Sequence, residues 1–305
     1  MRPPEISVIL PTFNREHLIG STIKNVLSQS FNNFELIIVN DCSTDQTDKI
    51  IEKYQKKDAR IVYVKNKKNL GCSESRNIGL THAQAESIAF MDDDDQYIDD
   101  ETLKCLHSQM IHESCDVVIA DYKVGNDLKR MDQFGKKFKH NIMKAPGPFL
   151  QCVLIKKKLI TKIAPAFDSQ AIPSEDWDFF ISISKLSPVV SYCACTTFNW
   201  KLNQDSQSLD FLKEANALTY ICKKHKNYIT ENLNSKIMSH HYRRIARVYE
   251  KTGVINQVNF FYKKAFKEYP LSIKNIFYFI MAIIGYGRTK ICIEWLRKIR
   301  GVPNA

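Results

Sequence analysis

The stretch Ser87-Ile88-Ala89-Phe90-Met91-Asp92-Asp93-Asp94-Asp95 sets a short apolar run directly against four consecutive carboxylates. Five apolar or small residues bounded by polar ones read as a buried strand. Four adjacent like charges repel one another, so a solvent-facing cluster of this kind needs a partner, and a bound divalent cation supplies one. In an extended segment residues i and i+2 project to the same side, so Asp92 and Asp94 are expected to face one ion or its ligand. Magnesium takes one or two carboxylates and completes its shell with water and substrate phosphate. A metal–diphosphate therefore suits the cluster better than an all-protein calcium cage. The plainer alternative is an acidic loop capping the next helix, a task Asp99 and Asp100 already serve.

Upstream of this stretch, apolar runs alternate with helical spacing. Ile6–Leu10 and Phe34–Val39 read as buried strands, and Arg60–Val64 as a third. Glu16–Gln29 carries Leu18, Ile19, Thr22, Ile23, Val26 and Leu27 at helical intervals. Ser43 to about Lys57 reads as a second helix with Ser43 or Thr44 as its N-cap, and Ser73–Ala85 as a third. Strands alternating with helices predict a parallel α/β sheet covered on both faces.

Downstream, Glu101–His112 reads as a helix and Val117–Asp121 as a strand. The lysine-rich segment Lys123–Lys144 reads as a loop or irregular hairpin, punctuated by Pro146-Gly147-Pro148. Phe149–Ile155 reads as a strand, Trp177–Leu186 as a helix and Val189–Thr197 as a strand. From about Gln207 the pattern is helical. The expected organisation is an α/β unit over residues 1–206 and a basic helical region over 207–305.

Charge follows the same division. Residues 1–100 carry 12 Lys+Arg against 16 Asp+Glu, whereas residues 211–305 carry 18 against 5. The basic end calls for a polyanionic partner. Asn275 precedes nine apolar residues, Ile276–Ile284, too few to span a bilayer, which needs about 20. Thr289–Arg300 sets Ile291, Cys292, Trp295, Leu296 and Ile299 against Lys290, Arg297, Lys298 and Arg300, the composition of a helix lying on an anionic membrane surface. The competing reading packs that apolar face on the protein. No groove-reading or base-stacking motif favours nucleic acid. The nine cysteines include no C-x-x-C, and Cys193 and Cys195 are too close in sequence for a usual zinc pair. They read as small buried apolar residues. With no apolar leader at the N-terminus, unpaired thiols point to the cytosol, with the protein peripheral on the inner face of the cell membrane. His240-His241 reads as a pair on a helix surface.

In open α/β sheets ligands bind beyond the carboxyl ends of the strands. Polar residues recur there: Pro11-Thr12-Phe13-Asn14, then Asn40-Asp41, then Asn69-Leu70-Gly71, then Asp92–Asp95. Together with Ser7-Val8-Ile9-Leu10, with Cys42-Ser43-Thr44-Asp45, with Ser75-Arg76-Asn77-Ile78-Gly79 and with Ser174-Glu175-Asp176-Trp177-Asp178, this ordered series resembles family 2 glycosyltransferases over about residues 5–205. The resemblance implies a GT-A-like, mostly parallel sheet flanked by helices, followed by a C-terminal α-helical region. It implies transfer of a sugar, with inversion, from a nucleotide-diphosphate donor, most simply a UDP-sugar, to a hydroxyl on a growing glycan or lipid-linked saccharide of the cell surface.

The resemblance also assigns residues. Pro11, Thr12, Asn14, Asp41, Arg76, Asp92 and Asp93 form the donor side. There Thr12 and Asp41 would meet base and ribose, and Arg76 the phosphates. Asp94 is the expected ligand to Mn²⁺ or Mg²⁺, with Asp93 and Asp95 in supporting positions. Asp176 is the expected general base, although Glu175-Asp176 also suits an acidic helix N-terminus. Glu175, Trp177, Asp95 and Lys201 are secondary candidates. Where many relatives carry an aromatic-Arg-x-His segment this chain reads Trp200-Lys201-Leu202-Asn203, and an amide is a poor substitute for an imidazole ligand. A sugar-phosphate nucleotidyltransferase is the first alternative, but Pro11-Thr12-Phe13-Asn14-Arg15 lacks the glycine-rich phosphate loop of that class. The second is a non-catalytic nucleotide-sugar binder, which would be expected to lack Asp94 or Asp176.

Overall fold

The computed structural model describes residues 3–200 and 210–285. In chain order the first elements are β1 (Ile6–Thr12), α1 (Ile19–Leu27), β2 (Phe34–Asn40), α2 (Thr47–Gln55), β3 (Ile61–Lys65), α3 (Cys72–His82), β4 (Ser87–Phe90) and α4 (Thr102–His112). They are followed by β5 (Val117–Val124), β6 (Asp127–Lys129), α5 (Asp132–Lys144), β7 (Val153–Lys156), α6 (Lys157–Ile160), α7 (Glu175–Ser184) and β8 (Val190–Trp200). Four long helices close the description: α8 (Phe211–Asn232), α9 (Ser235–Thr252), α10 (Ile255–Glu268) and α11 (Ile273–Ile284). The sheet and its helices through β8 form one compact unit, and α8–α11 with Gln170–Ser174 form another.

Strand order is β3-β2-β1-β4-β7-β5-β6, with β8 paired to β5. β1 and β2 are apolar over nearly their whole lengths and every residue of both is buried, as parallel strands covered on both faces require. Side chains alternate between the two faces. Val8, Leu10, Leu36 and Ile38 pack with Ile19, Ile23, Leu103 and Leu106 from α1 and α4. On the other face α3 lies so close that a Cβ on Gly79 would stand 2.5 Å from Ile9 Cγ2. There Phe90 meets Phe167 at 5.2 Å and Phe179 at 6.3 Å between ring centroids.

The sheet is mixed. Among the described strands β1–β2, β1–β4, β2–β3 and β5–β8 run parallel, while β4–β7, β5–β7 and β5–β6 run antiparallel. Two local expectations are corrected. Lys123–Lys144 is not a loop or hairpin throughout: after the β5–β6 hairpin, Asp132–Lys144 forms a helix kinked at Lys137. Phe134, Phe138, Ile142 and Met143 bury one stripe of it, and the intervening lysines mask that periodicity in the sequence. Nor does Ser43 or Thr44 cap α2. The helix starts at Thr47, because Asp45 accepts from the Thr47 N–H at 3.0 Å and from the Glu16 N–H at 3.0 Å.

In the helical unit, Asp210 caps α8 by accepting from the Lys213 N–H, and Asn234 caps α9 by accepting from the Ile237 N–H. The α9 helix ends on Gly253 at φ 75°, a left-handed position that favours glycine. Asn275 is fully buried and ties three helices together. Its amide donates to Ser239 Oγ (2.6 Å) and to the Ala265 carbonyl (3.2 Å), and its oxygen accepts from Arg243. His240 and His241 are not a surface pair. His241 is 1% exposed, on the face that carries Met238, Tyr242 and Ile245 into the packing. On α11, Ile273, Ile276, Phe277, Ile280, Ile283 and Ile284 stay exposed, a continuous apolar stripe. No described helix is long and apolar enough to cross a membrane. Thr289–Arg300 lies outside the described residues.

Candidate active site

Parallel register brings the carboxyl ends of four strands level: Thr12 lies beside Asn40, Asn40 beside Lys65, and Ile9 beside Phe90. The loops that leave these ends are tied by side chain-to-backbone hydrogen bonds. Asn14, at φ 52°, accepts from the Thr44 N–H at 2.8 Å, and its own N–H donates to Ser43 Oγ at 2.9 Å. Asp41 is buried and accepts from Asn66 Nδ2 (2.8 Å), the Leu70 N–H (2.9 Å) and the Gly71 N–H (2.7 Å). Gly71 sits at φ 86°, so only a residue without Cβ adopts this turn easily. Asp41 thus fixes the loop that opens α3. Pro11 and Thr12 are buried within β1.

Beyond β4 the aspartates do not run extended. The Asp95 N–H bonds the Asp92 carbonyl at 3.2 Å, closing a turn, so the alternation expected to pair Asp92 with Asp94 does not apply. Asp92 accepts from Arg76 Nη2 (2.7 Å) and Gln151 Nε2 (2.8 Å), and Asp95 accepts from the same Gln151 nitrogen (2.7 Å). Asp93 turns toward the β1 loop, where it accepts from Arg15 Nε (3.2 Å) and the Phe13 N–H (3.3 Å). Asp94 is exposed. Burial raises Asp93 to about 6, against the pull of Arg15. Burial, with repulsion from Asp92, Asp94 and Asp93, raises Asp95 to about 8. Carboxyls driven toward protonation by their neighbours would be relieved by a cation. The turn does not gather three carboxylate oxygens within 4.8 Å of one another. It therefore suits a metal that takes one or two protein ligands and fills its shell from a diphosphate.

Arg76, on α3, joins this turn to the start of α7. It is 3% exposed. Nη2 donates to Asp92, Nη1 donates to Glu175 Oε1 at 2.9 Å, and Asp176 Oδ1 stands 4.0 Å from Nη1. Phe167 lies beneath the guanidinium, 5.5 Å from ring centroid to Cζ. Burial opposes the charge, but Cys72, Asp92, Asp176 and Glu175 together hold Arg76 above its ordinary value. Asp176, whose side chain is 31% exposed, is raised to about 8 by removal from water, against Arg76 and with Glu175 and Asp92. Two carboxylates more than 80 positions apart, Asp92 and Asp176, thereby meet around one cation.

The family model described as Glycosyl transferase family 2 matches residues 7–163, more than half of the chain. The chain belongs to this family. TuaG of Bacillus subtilis (strain 168), named for teichuronic acid biosynthesis, is 39% identical over 132 residues, which are 43% of this chain and 52% of TuaG. The Escherichia coli UDP-Glc:alpha-D-GlcNAc-diphosphoundecaprenol beta-1,3-glucosyltransferase WfgD is 28% identical over 213 residues, 68% of this chain and 81% of WfgD. The match thus spans about half the length of TuaG and most of WfgD. Among solved structures, residues 1–349 of S. aureus TarS in complex with UDP-GlcNAc align with a TM-score of 0.71 at 21% identity, over 93% of this chain and 92% of that one. That likeness concerns the fold.

Within this family member the structure gathers Asp41, Arg76, Asp92–Asp95, Glu175 and Asp176 at one end of the sheet. Trp177 points elsewhere. It is 1% exposed and its indole donates to the Ile142 carbonyl at 2.7 Å, anchoring α7 to α5. Lys201 and Asn203 lie outside the described residues. Two contributors escaped the sequence reading. Gln151 lies in a segment read as plain strand, and only its contact with two aspartates reveals it. Arg15 directly follows the Pro11–Asn14 motif, and its adjacency to that motif was the available signal.

Proposed function

We propose that the protein is an inverting glycosyltransferase that moves a sugar from a UDP-sugar to a hydroxyl on a growing glycan or lipid-linked saccharide of the cell surface. The observation that carries this reading is the Arg76 junction, which sets the acidic turn and Asp176 on either side of one buried guanidinium. Family membership and the acceptors named for WfgD support the substrate class.

Asp41 already accepts from three donors on about four lone-pair sites, leaving room for one more, such as a uracil imide N–H. Arg76 is engaged by Asp92 and Glu175, so it positions carboxylates rather than standing open to phosphate. Asp94 would hold Mn²⁺ or Mg²⁺. When bound, such an ion neutralises charge on the departing diphosphate, worth several kcal/mol in the transition state. Asp176 takes the acceptor's hydroxyl proton as that oxygen attacks the anomeric carbon, while the bond from that carbon to the nucleoside diphosphate breaks. One displacement inverts the anomeric centre. Buried Gln151 and Arg76 keep the flanking carboxylates in place meanwhile.

Thermal-shift screening with nucleotide-sugars and Mn²⁺ tests the donor class. A UDP-sugar at 100 times its dissociation constant should stabilise by about 2.7 kcal/mol. Failure of every UDP-sugar to raise the melting temperature, with and without metal, would overturn the reading. The exposed stripe on α11 supports a peripheral place on an anionic membrane surface. Replacing Ile276, Ile280 and Ile283 together by serine should reduce flotation with anionic vesicles, and undiminished flotation would reject that placement.

A further inference from the structure

Cys105 lies in the first turn of α4, while Cys193 and Cys195 lie on β8. Residues two apart on a regular strand stand about 7 Å apart along it. Here β8 bulges: Ala120 pairs with Cys193, yet Asp121 pairs with Thr196. The irregularity brings the Cys193 and Cys195 sulfurs to 3.5 Å. The Cys105 sulfur completes a group of three within 4.8 Å of one another, and no other three His, Cys, Asp or Glu among the described residues are so grouped.

We propose that Cys105, Cys193 and Cys195 form a thiolate site for a soft divalent cation of the Zn²⁺ class, separate from the acidic turn. Zinc–sulfur bonds of about 2.3 Å at tetrahedral angles place ligand sulfurs about 3.8 Å apart, so the three thiols need little adjustment. Their surroundings suit the ion. Cys193 is 7% exposed and Cys195 packs against the apolar core, whereas Cys105 lies nearer the surface. Cys105 also departs from the expectation that the cysteines are buried fillers. The thiols release their protons on binding. The ion would clamp the helix that follows the acidic turn to β8, the strand that Tyr97 already reaches through its bridge to Phe198.

The test uses the full chain, fully reduced and stripped of metal, titrated with Co²⁺ as a spectroscopic probe and with Zn²⁺ under native mass spectrometry. The expected result is one ion per chain with a sulfur-to-cobalt charge-transfer band. Affinity should fall at least about 100-fold in Cys193→Ser and Cys195→Ser, exceeding the 10–100-fold typical of losing an outer-shell partner. It should be unchanged in Asp94→Ala and Cys42→Ser. Cys105→Ser, at an exposed position, carries the test if the β8 variants fail to fold. Absence of the charge-transfer band in the reduced wild type, or its survival at undiminished affinity in Cys105→Ser, overturns the proposal.

Discussion

The two halves of the sheet differ in emphasis: both have carboxylates that accept from backbone N–H groups, as Asp121 does from Met131 and Asp116 from Val189, but the second half adds a cluster of rings. Around β3-β2-β1-β4 the loops are fixed by directional hydrogen bonds that backbone N–H groups donate to Asp41, Asn14, Asp45 and Asp93. Around β7, β5 and β8 the corresponding region is a cluster of rings. Phe149 meets Tyr122 at 5.0 Å, Phe198 at 5.7 Å and Trp200 at 6.0 Å, and Tyr122 meets Phe198 at 5.9 Å. A carboxylate that must meet two particular N–H groups tolerates no substitute, whereas apolar packing accepts exchanges that conserve volume. At the site, Arg76 and Gln151 link the acidic turn of the first half to the second.

Separating the halves functionally should produce the largest effects. Asp94→Ala should weaken metal-dependent donor binding, while Asp176→Asn should leave it nearly intact and lower turnover by about 10²–10⁴-fold. Equal loss of donor affinity in both variants, measured by calorimetry, would erase the distinction. Only ionised Asp176 can accept a proton, and its carboxyl is raised to about 8. Turnover of the wild type should therefore climb as pH rises toward 8 and then level, and Asp176→Asn should lose that limb. The same shift acts on stability in the opposite sense. Between the ordinary aspartate value and the raised one, the native state holds a proton that the unfolded chain has released, so stability falls as pH rises through that window. Asp176→Asn should gain more in melting temperature at pH 8 than at pH 5.

The junction itself gives the next effect in size. Arg76→Ala leaves Asp92 and Glu175 facing each other without their cation. Breaking a buried pair typically costs about 3–5 kcal/mol, with the lower end expected here because the Asp92 side chain is 35% exposed. Urea unfolding measures it, and a loss below about 1 kcal/mol, the range of a surface ion pair, would show that the halves stand without Arg76. Arg76→Lys should recover part of the loss, since one ammonium cannot meet both carboxylates as a planar fork does.

The same contrast explains what could be read from the sequence. β1, β2 and β4 announce themselves as short apolar runs, and Asp41 and Asp92–Asp95 sit where β2 and β4 stop, because burial and strand ends leave local marks. The helix Asp132–Lys144 leaves none of that strength: its buried Phe134, Phe138 and Ile142 are interleaved with lysines. The antiparallel entry of β7 beside β4 is a tertiary choice with no local signal. Gln151 contributes through a contact with residues 56 and 59 positions away, and spacing along the chain cannot report that.

The smallest effect sharpens the comparison on packing alone. Each half contains a glycine against which another element closes. An added Cβ at Gly79 would stand 2.5 Å from Ile9 Cγ2, and at Gly135 it would stand 2.7 Å from Tyr192 Cβ, 3.2 Å from Tyr192 N and 3.4 Å from Tyr192 Cα. By distance alone Gly79→Ala looks worse. The obstacle at Gly79, however, is the end of a side chain that can turn, whereas at Gly135 it is the backbone of β8, which moves only with the strand. Overpacking costs about 1–3 kcal/mol, so Gly135→Ala should fall near the top of that range and Gly79→Ala near the bottom; alanine's helix preference helps both alike. The reverse order in chemical denaturation would mean that Ile9, locked in a fully buried central strand, yields less than an entire strand does. The hydrogen-bonded half would then be the more rigid in its packing as well as in its loops.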